Sequence, residues 1–325
     1  MMRRFLFVLC LVVGLPGTAV AAYTSLFVFG DSLSDGGNAY ALSAGAWPLS
    51  PPNAQRFSDG PVAAEVLASQ LDISGFSHSA AGGTNYAVGG ATTGLGNFNF
   101  TVNAPTGLPP AIEFTGMQSQ VAAFAASSTV FDPAKSLFMV WGGPNDVFLG
   151  LAQGVDATVF VPTAVSNIAG IVGALATMGA RNFLVPNMPN LAVTPFGLSQ
   201  DAGGQAGLAA ITAGFNAGLA LALGQVGALF PPVNIIEFDA ADFFARVIAN
   251  PGGFGFVDVT TPCYLVGNCD GYLFVDGVHP TAQAHALLGR AFARAVPEPA
   301  TPALIALALL ALLAPRARTV RQTAS

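Results

Sequence analysis

Charge is scarce in this 325-residue chain: only 9% of residues are Asp, Glu, Lys or Arg, and Lys135 is the single lysine. Eleven basic residues stand against seventeen acidic ones, a net charge of −6, and no basic cluster lies in the middle of the chain. A nucleic-acid partner is excluded on that ground, because phosphate contacts need a basic footprint. Histidine is rarer still, with only His78, His279 and His285 available for acid–base work. Cysteine is limited to Cys10, Cys263 and Cys269, none beside a histidine pair or a second cysteine pair, which argues against a metal centre. No cofactor is called for either. What abounds is apolar surface, 53% of residues, together with 38 glycines and 25 phenylalanines. That is ample for a large core.

Both ends read as addresses. Arg3 and Arg4 precede the apolar run Phe5 to Val13, and Ala19-Val20-Ala21 places small residues at the −3 and −1 positions of a cleavage site. Residues 1–21 therefore read as a signal peptide rather than an uncleaved anchor, since Pro16, Gly17 and the short apolar core disfavour a span. At the other end Pro297-Glu298-Pro299 leads into the twelve apolar residues Ala303 to Ala314 and then Arg316, Arg318 and Arg321. Twelve residues fall short of the ~20 that cross a bilayer comfortably. The tail, residues 297–325, resembles a PEP-CTERM sorting signal. The resemblance implies processing by an exosortase in a Gram-negative, exopolysaccharide-producing bacterium. It also implies transient membrane contact through the tail and a final place at the cell surface or in the extracellular matrix. A simple tail anchor is the alternative. In an exported chain, Cys263 and Cys269, six positions apart, are expected to form a local disulfide.

Between the addresses, residues 22–296 read as one domain. Candidate strands are Ser25–Phe29, Thr84–Val88, Ser136–Trp141, Asn182–Val185 and Val233–Phe238. Helical patterns intervene at Pro61–Leu71, Ala122–Ala126, Thr163–Met178, Ala206–Phe230, Ala240–Ile248 and Pro280–Val296. This alternation predicts an α/β fold, a three-layer α/β/α sandwich around a parallel sheet of about five strands. Its ligand crevice is expected outside the carboxyl ends of the strands. Two long stretches, Asp35–Gly83 with Trp47, Pro48, Pro51, Pro52 and Phe57, and Gly94–Gly116 with Phe98, Phe100 and Phe114, are candidates to wall a pocket.

Four short motifs fall at predicted element ends: Gly30-Asp31-Ser32, Gly89-Gly90-Ala91, Gly142-Gly143-Pro144-Asn145-Asp146 and Asp276-Gly277-Val278-His279-Pro280. With their flanking residues they resemble, in order, the four blocks of the GDSL esterase/lipases of the SGNH-hydrolase superfamily, whose fold is flavodoxin-like. Arg56-Phe57-Ser58-Asp59-Gly60 resembles a stretch of the larger GDSL lipases. The likeness runs from about Ser25 to Ala295.

The chemistry can also be argued from the residues. A serine hydroxyl needs a base. His285 lies within the last predicted helix, as a surface or packing residue, and His78 sits in a Ser/Ala/Gly loop without an acid. His279 precedes Pro280, a residue suited to a first helical position, and Asp276 three residues earlier can reach one ring nitrogen, leaving the other for Ser32. The resemblance implies oxyanion donors at Ser32, a glycine of the second block (Gly90 favoured over Gly89) and Asn145. Asp31 and Asp146 read as structural hydrogen-bonders of their loops, and Asp35 and Asn38 as braces of the serine turn. The expected activity is hydrolysis of acyl esters of small molecules or lipids. The alternatives are an acyltransferase, a carbohydrate deacetylase, or a non-catalytic polysaccharide-binding matrix protein on the same fold.

Overall fold

The runs Leu26–Phe29 and Leu137–Trp141 are apolar on both strand faces, which suits only strands covered from both sides. In the computed structural model, which describes residues 23–50, 52–102 and 108–297, these are the middle of the fold. The strands of the main sheet are β1 Ser25–Gly30, β2 Ser136–Trp141, β3 Asn182–Pro186 and β4 Asn234–Phe238. They lie in the order β1-β2-β3-β4, and all are parallel. A separate parallel pair, β5 Asp258–Pro262 and β6 Tyr272–Phe274, was not foreseen.

The helices are α1 Asn38–Leu42, α2 Ala63–Gln70, α3 Phe98–Thr101, α4 Met117–Ala126 and α5 Pro144–Ala152. They continue as α6 Ala157–Thr177, α7 Pro195–Leu198, α8 Ala202–Leu229, α9 Ala240–Ala249 and α10 Ala282–Ala295. The period of two along each strand divides the core. Phe27, Phe29, Phe138, Val140 and Phe183 join one apolar cluster with α4, α6 and α8. Leu26, Val28, Leu137, Met139 and Leu184 join the other with α2, α9 and α10. The fold is therefore the expected three-layer α/β/α arrangement, and residues Tyr23–Pro297 form one compact unit. Helices α6 and α8 are long and apolar enough to cross a membrane by length and composition, yet each buries a face in the first cluster.

Three expectations are corrected. Thr84–Val88 is not a regular strand, though it runs along the free edge of β1: the amides of Tyr86 and Val88 donate to the carbonyls of Val28 and Gly30, and that of Val28 to Thr84. The rest of its backbone is diverted, because the Asn85 and Ala87 carbonyls accept from the Asn38 side chain. Helix α6 starts at Ala157 rather than after Pro162, because Asp156 caps it by accepting from Thr158 N, and Pro162 lies inside. Helix α10 starts at Ala282, with Thr281 as its cap, so Pro280 is not its first residue and His279 stands in the loop before it. The signal peptide and the sorting tail lie outside the described residues.

Candidate active site

Gly30 ends β1, and the chain turns sharply there. Its amide donates to Gln120 Oε1 (2.9 Å), and its carbonyl, which also accepts from Val88 N, accepts from Gln120 Nε2 (2.8 Å), so a buried side chain on α4 supplies the partner that the Gly30 amide lacks in the sheet. Asp35 holds the turn from beyond, accepting from the amides of Gly37, Asn38 and Ala39. Ser32 is thereby presented at the carboxyl edge of the sheet, 8% exposed.

Asp276 and His279 come from the loop between β6 and α10. Asp276 Oδ1 accepts from the amides of Val278 (2.9 Å) and His279 (2.8 Å), and Oδ2 meets His279 Nδ1 at 2.7 Å. His279 Nε2 lies 2.8 Å from Ser32 Oγ across 247 residues of sequence. Loop hydrogen bonds from Val275 N to His279 O and from Thr281 N to Leu273 O close this segment on itself. The Phe57 ring packs on the His279 ring, with centroids 5.3 Å apart. Ser58 Oγ donates to the Pro280 carbonyl and Asp59 Oδ1 accepts from Ala282 N, so the segment Arg56–Gly60 buttresses the histidine loop.

The three residues expected to face a developing oxyanion, Ser32, Gly90 and Asn145, all line the cavity above Ser32. Gly89 N is committed to Asp35 Oδ2 at 2.8 Å, whereas among the described residues neither Gly90 N nor Ser32 N has a partner. Gly90 has φ +76°, and a Cβ there would come within 2.4 Å of Asn97 Oδ1 and Asn99 Nδ2, so only glycine fits this turn. Asn145 Nδ2 donates one hydrogen to Ala91 O at 3.0 Å and has a second to offer.

Burial acts on every ionisable group here. Asp31 is pushed up to about 7, chiefly by burial, against the Leu33 amide and the charge of His279. Asp146, which accepts from Thr93 N and Thr93 Oγ1, is pushed up to about 6 by burial. Burial also acts to lower His279, but the charge and hydrogen bond of Asp276, with Asp31 behind, hold it above its ordinary value. Burial acts to raise Asp276, but the His279 charge, the ring hydrogen bond and two amides leave it below its ordinary value. His285 is a packing residue: its Nδ1 accepts from Ala63 N, and burial, with the charge of His279, drives it down to about 3. His78 does not line the cavity.

Both long stretches contribute walls, through Trp47, Pro48, Phe57 and Phe98, but Phe100 does not line the cavity and Phe114 is 66% exposed. Two braces escaped the sequence reading: Gln120, and the buried Asn97, whose amide donates to Gly89 O. Each is a lone amide residue, and nothing in local spacing marks it. The Gly207–Ile211 part of the lining was read only as part of a helix, and Gly204 fell before the helix start expected at Ala206.

A serine, a histidine and an aspartate in one hydrogen-bonded line, at the carboxyl edge of a parallel sheet and facing a cavity, define the class of serine-centred α/β/α proteins. Sequence comparison carries the assignment further. The model of the GDSL-like lipase/acylhydrolase family matches residues 26–292, and the chain belongs to that family. Lipase 1 of Photorhabdus luminescens is 32% identical over 174 residues, covering 54% of this chain and 23% of the relative. A protein of the trpE-trpG intergenic region of Pseudomonas putida is 28% identical, covering 83% of this chain and 48% of the relative. The chain thus spans about a quarter and about half the length of these two relatives. A phosphatidylcholine-sterol acyltransferase of Aeromonas hydrophila is 26% identical, covering 82% of this chain and 88% of the relative.

Gln120→Ala should leave the Gly30 N–H unpaired in the interior, while its C=O keeps the Val88 amide, and cost about 1–3 kcal/mol, the penalty of one stranded group. Urea denaturation measures this, and a loss below about 0.5 kcal/mol would show that Gln120 does not hold the turn.

Proposed function

We propose that the protein is a secreted serine esterase that hydrolyses acyl esters through an acyl-enzyme. The observation that carries this reading is the line from Ser32 Oγ through His279 to Asp276, at 2.8 and 2.7 Å. Ser32 Oγ attacks the ester carbonyl while His279 Nε2 takes its proton. Asp276 holds the ring by Nδ1 and stabilises the imidazolium. The alkoxide that forms is met by the amides of Ser32 and Gly90 and by Asn145 Nδ2. His279 then gives its proton to the leaving alcohol, and water repeats the sequence on the acyl-serine. Acyl transfer to an alcohol is a second reading, favoured by the Aeromonas hydrophila acyltransferase, which is similar over most of both chains.

Export is part of the reading. It is supported by the signal-like residues 1–21, the sorting-like residues 297–325, which an exosortase would process, and the pairing of Cys263 with Cys269 (Cα–Cα 4.9 Å). The Tyr264 amide, in the turn that Cys263 begins, donates to the Val275 carbonyl, so the disulfide would stiffen the strand leading into Asp276.

Ser32→Ala should lower kcat/KM on p-nitrophenyl esters by at least about 10⁴-fold with the fold intact. Hydrolysis at the wild-type rate would refute the nucleophile, and a fatty alcohol added to the same assay distinguishes water from alcohol as acceptor by the product formed. The base must be neutral to accept a proton, so kcat/KM should fall as the pH drops through the pKa of His279. With that pKa raised, the acid limb should lie above pH 6.5. Asp276→Asn removes the largest raising influence, so the limb should move to lower pH while kcat drops about 10⁴-fold. A limb that stays in place would sever the pair. Mass spectrometry of protein exported by a Gram-negative host should find a chain beginning at Ala22 with Cys263 and Cys269 oxidised. A chain retaining Met1 with free thiols would contradict export.

A further inference from the structure

The cavity above Ser32 is about 1230 Å³, beyond the ~300–1,000 Å³ of most small-molecule sites and far more than the reacting atoms require. Two helices wall its apolar part. On α5, Phe148, Leu151 and Ala152 follow Asn145 along one face, at helical spacing. On α8, Gly204, Gly207, Leu208 and Ile211 line the same cavity at i, i+3, i+4 and i+7. The Phe196 ring closes against Phe148, with centroids 5.4 Å apart. Among the described residues the ionisable ones lining it are Asp31, Asp276 and His279, and no described lysine or arginine lines the cavity to answer a phosphate or carboxylate.

We propose that the α5–α8 cleft is an acyl-chain groove for neutral fatty-acyl esters, with Gly207 as the residue that keeps it open. This rests on the serine-esterase reading and names the substrate class of that site. The length follows from geometry. From Asn145, at the oxyanion end, to Ala152 the helix rises about 10.5 Å at ~1.5 Å per residue. An extended hydrocarbon advances roughly 1.3 Å per carbon for C–C bonds of ~1.5 Å, so the wall matches about eight carbons. Glycine inside a helix is intrinsically unfavourable, yet a Cβ at Gly207 would meet no atom within 4 Å. Gly207 is exposed at the rim of the cavity it lines, so a large side chain there has room without disturbing the helix packing and narrows the mouth between α5 and α8 when turned inward.

The experiment is a series of p-nitrophenyl esters from acetate to myristate, run on the wild type, Gly207→Leu, Gly207→Phe and Gly224→Phe. Gly224 is exposed on the same helix, lies outside the cavity and has open space around its Cβ, so it controls for bulk on α8. Wild-type kcat/KM should rise roughly two- to fourfold per carbon, as expected from the burial of one methylene, and level off near eight carbons. The octanoate-to-acetate ratio should fall at least tenfold in Gly207→Phe, by an intermediate factor in Gly207→Leu, and keep the wild-type value in Gly224→Phe. A flat wild-type profile or a ratio unmoved by Gly207→Phe would overturn the groove, and faster use of octanoyl-coenzyme A than of p-nitrophenyl octanoate would overturn the neutral class of its substrate. Calorimetric titration of Ser32→Ala with methyl octanoate separates this from failure of the catalytic reading. Binding weakened at least tenfold by adding Gly207→Phe supports the groove whatever Ser32 does, and no binding overturns it even if acetate esters are cleaved.

Discussion

The buried carboxylate of Asp35 is the constraint on which the site depends. It takes amide hydrogens from Gly37, Asn38, Ala39 and Gly89, so one group ties the serine turn to the glycine turn 54 residues away. Burial pushes its pKa up, and those four amides work in the opposite direction. An unpaired charge in this position would be strongly destabilising, whereas a fully bonded one becomes a fastener. The bond to Gly89 commits that amide, whereas the amide of Gly90 has no partner among the described residues. Asn38, placed by Asp35, then holds the irregular fifth edge of the sheet through the carbonyls of Asn85 and Ala87.

The opposite half of the site is built differently. Asp276 organises its own loop through two short-range amide bonds, and the long-range work falls to Phe57, Ser58 and Asp59, which grip His279, Pro280 and Ala282 from the other end of the chain. Ser32 and His279 therefore meet, 2.8 Å apart, from two separately braced units.

Scarcity of charge has a consequence at the cavity. Among the described residues only Asp31, Asp276 and His279 are ionisable in its lining, in an apolar surround where each acts more strongly than in water. That is why Asp31 rises to about 7 while Asp276 stays low: they share burial, but Asp276 has the ring and two amides, whereas Asp31 has one amide and an Oδ2 without a partner.

Local pattern in the chain was enough to reveal the strands β1 to β4 and the layered α/β/α class, because apolar runs are short-range signals, and the motifs at strand ends named Ser32, Asp276 and His279, which the fold brings within hydrogen-bond reach of one another. It misplaced what depends on capping and on diverted backbone. Asp156 and Thr281 moved the helix starts, and the Asn38 side chain drew the edge segment 84–88 out of regular pairing. The resemblance favours Gly90 over Gly89, but the bond that commits the Gly89 amide to Asp35, and Gln120, Asn97 and the α5–α8 walls, were invisible in one dimension. Those features exist only as contacts between segments dozens of residues apart. The sequence alone named the groups proposed to react, and the tertiary structure decided which nearby amides lack a partner and how much apolar space lies beyond, because both depend on contacts between distant segments.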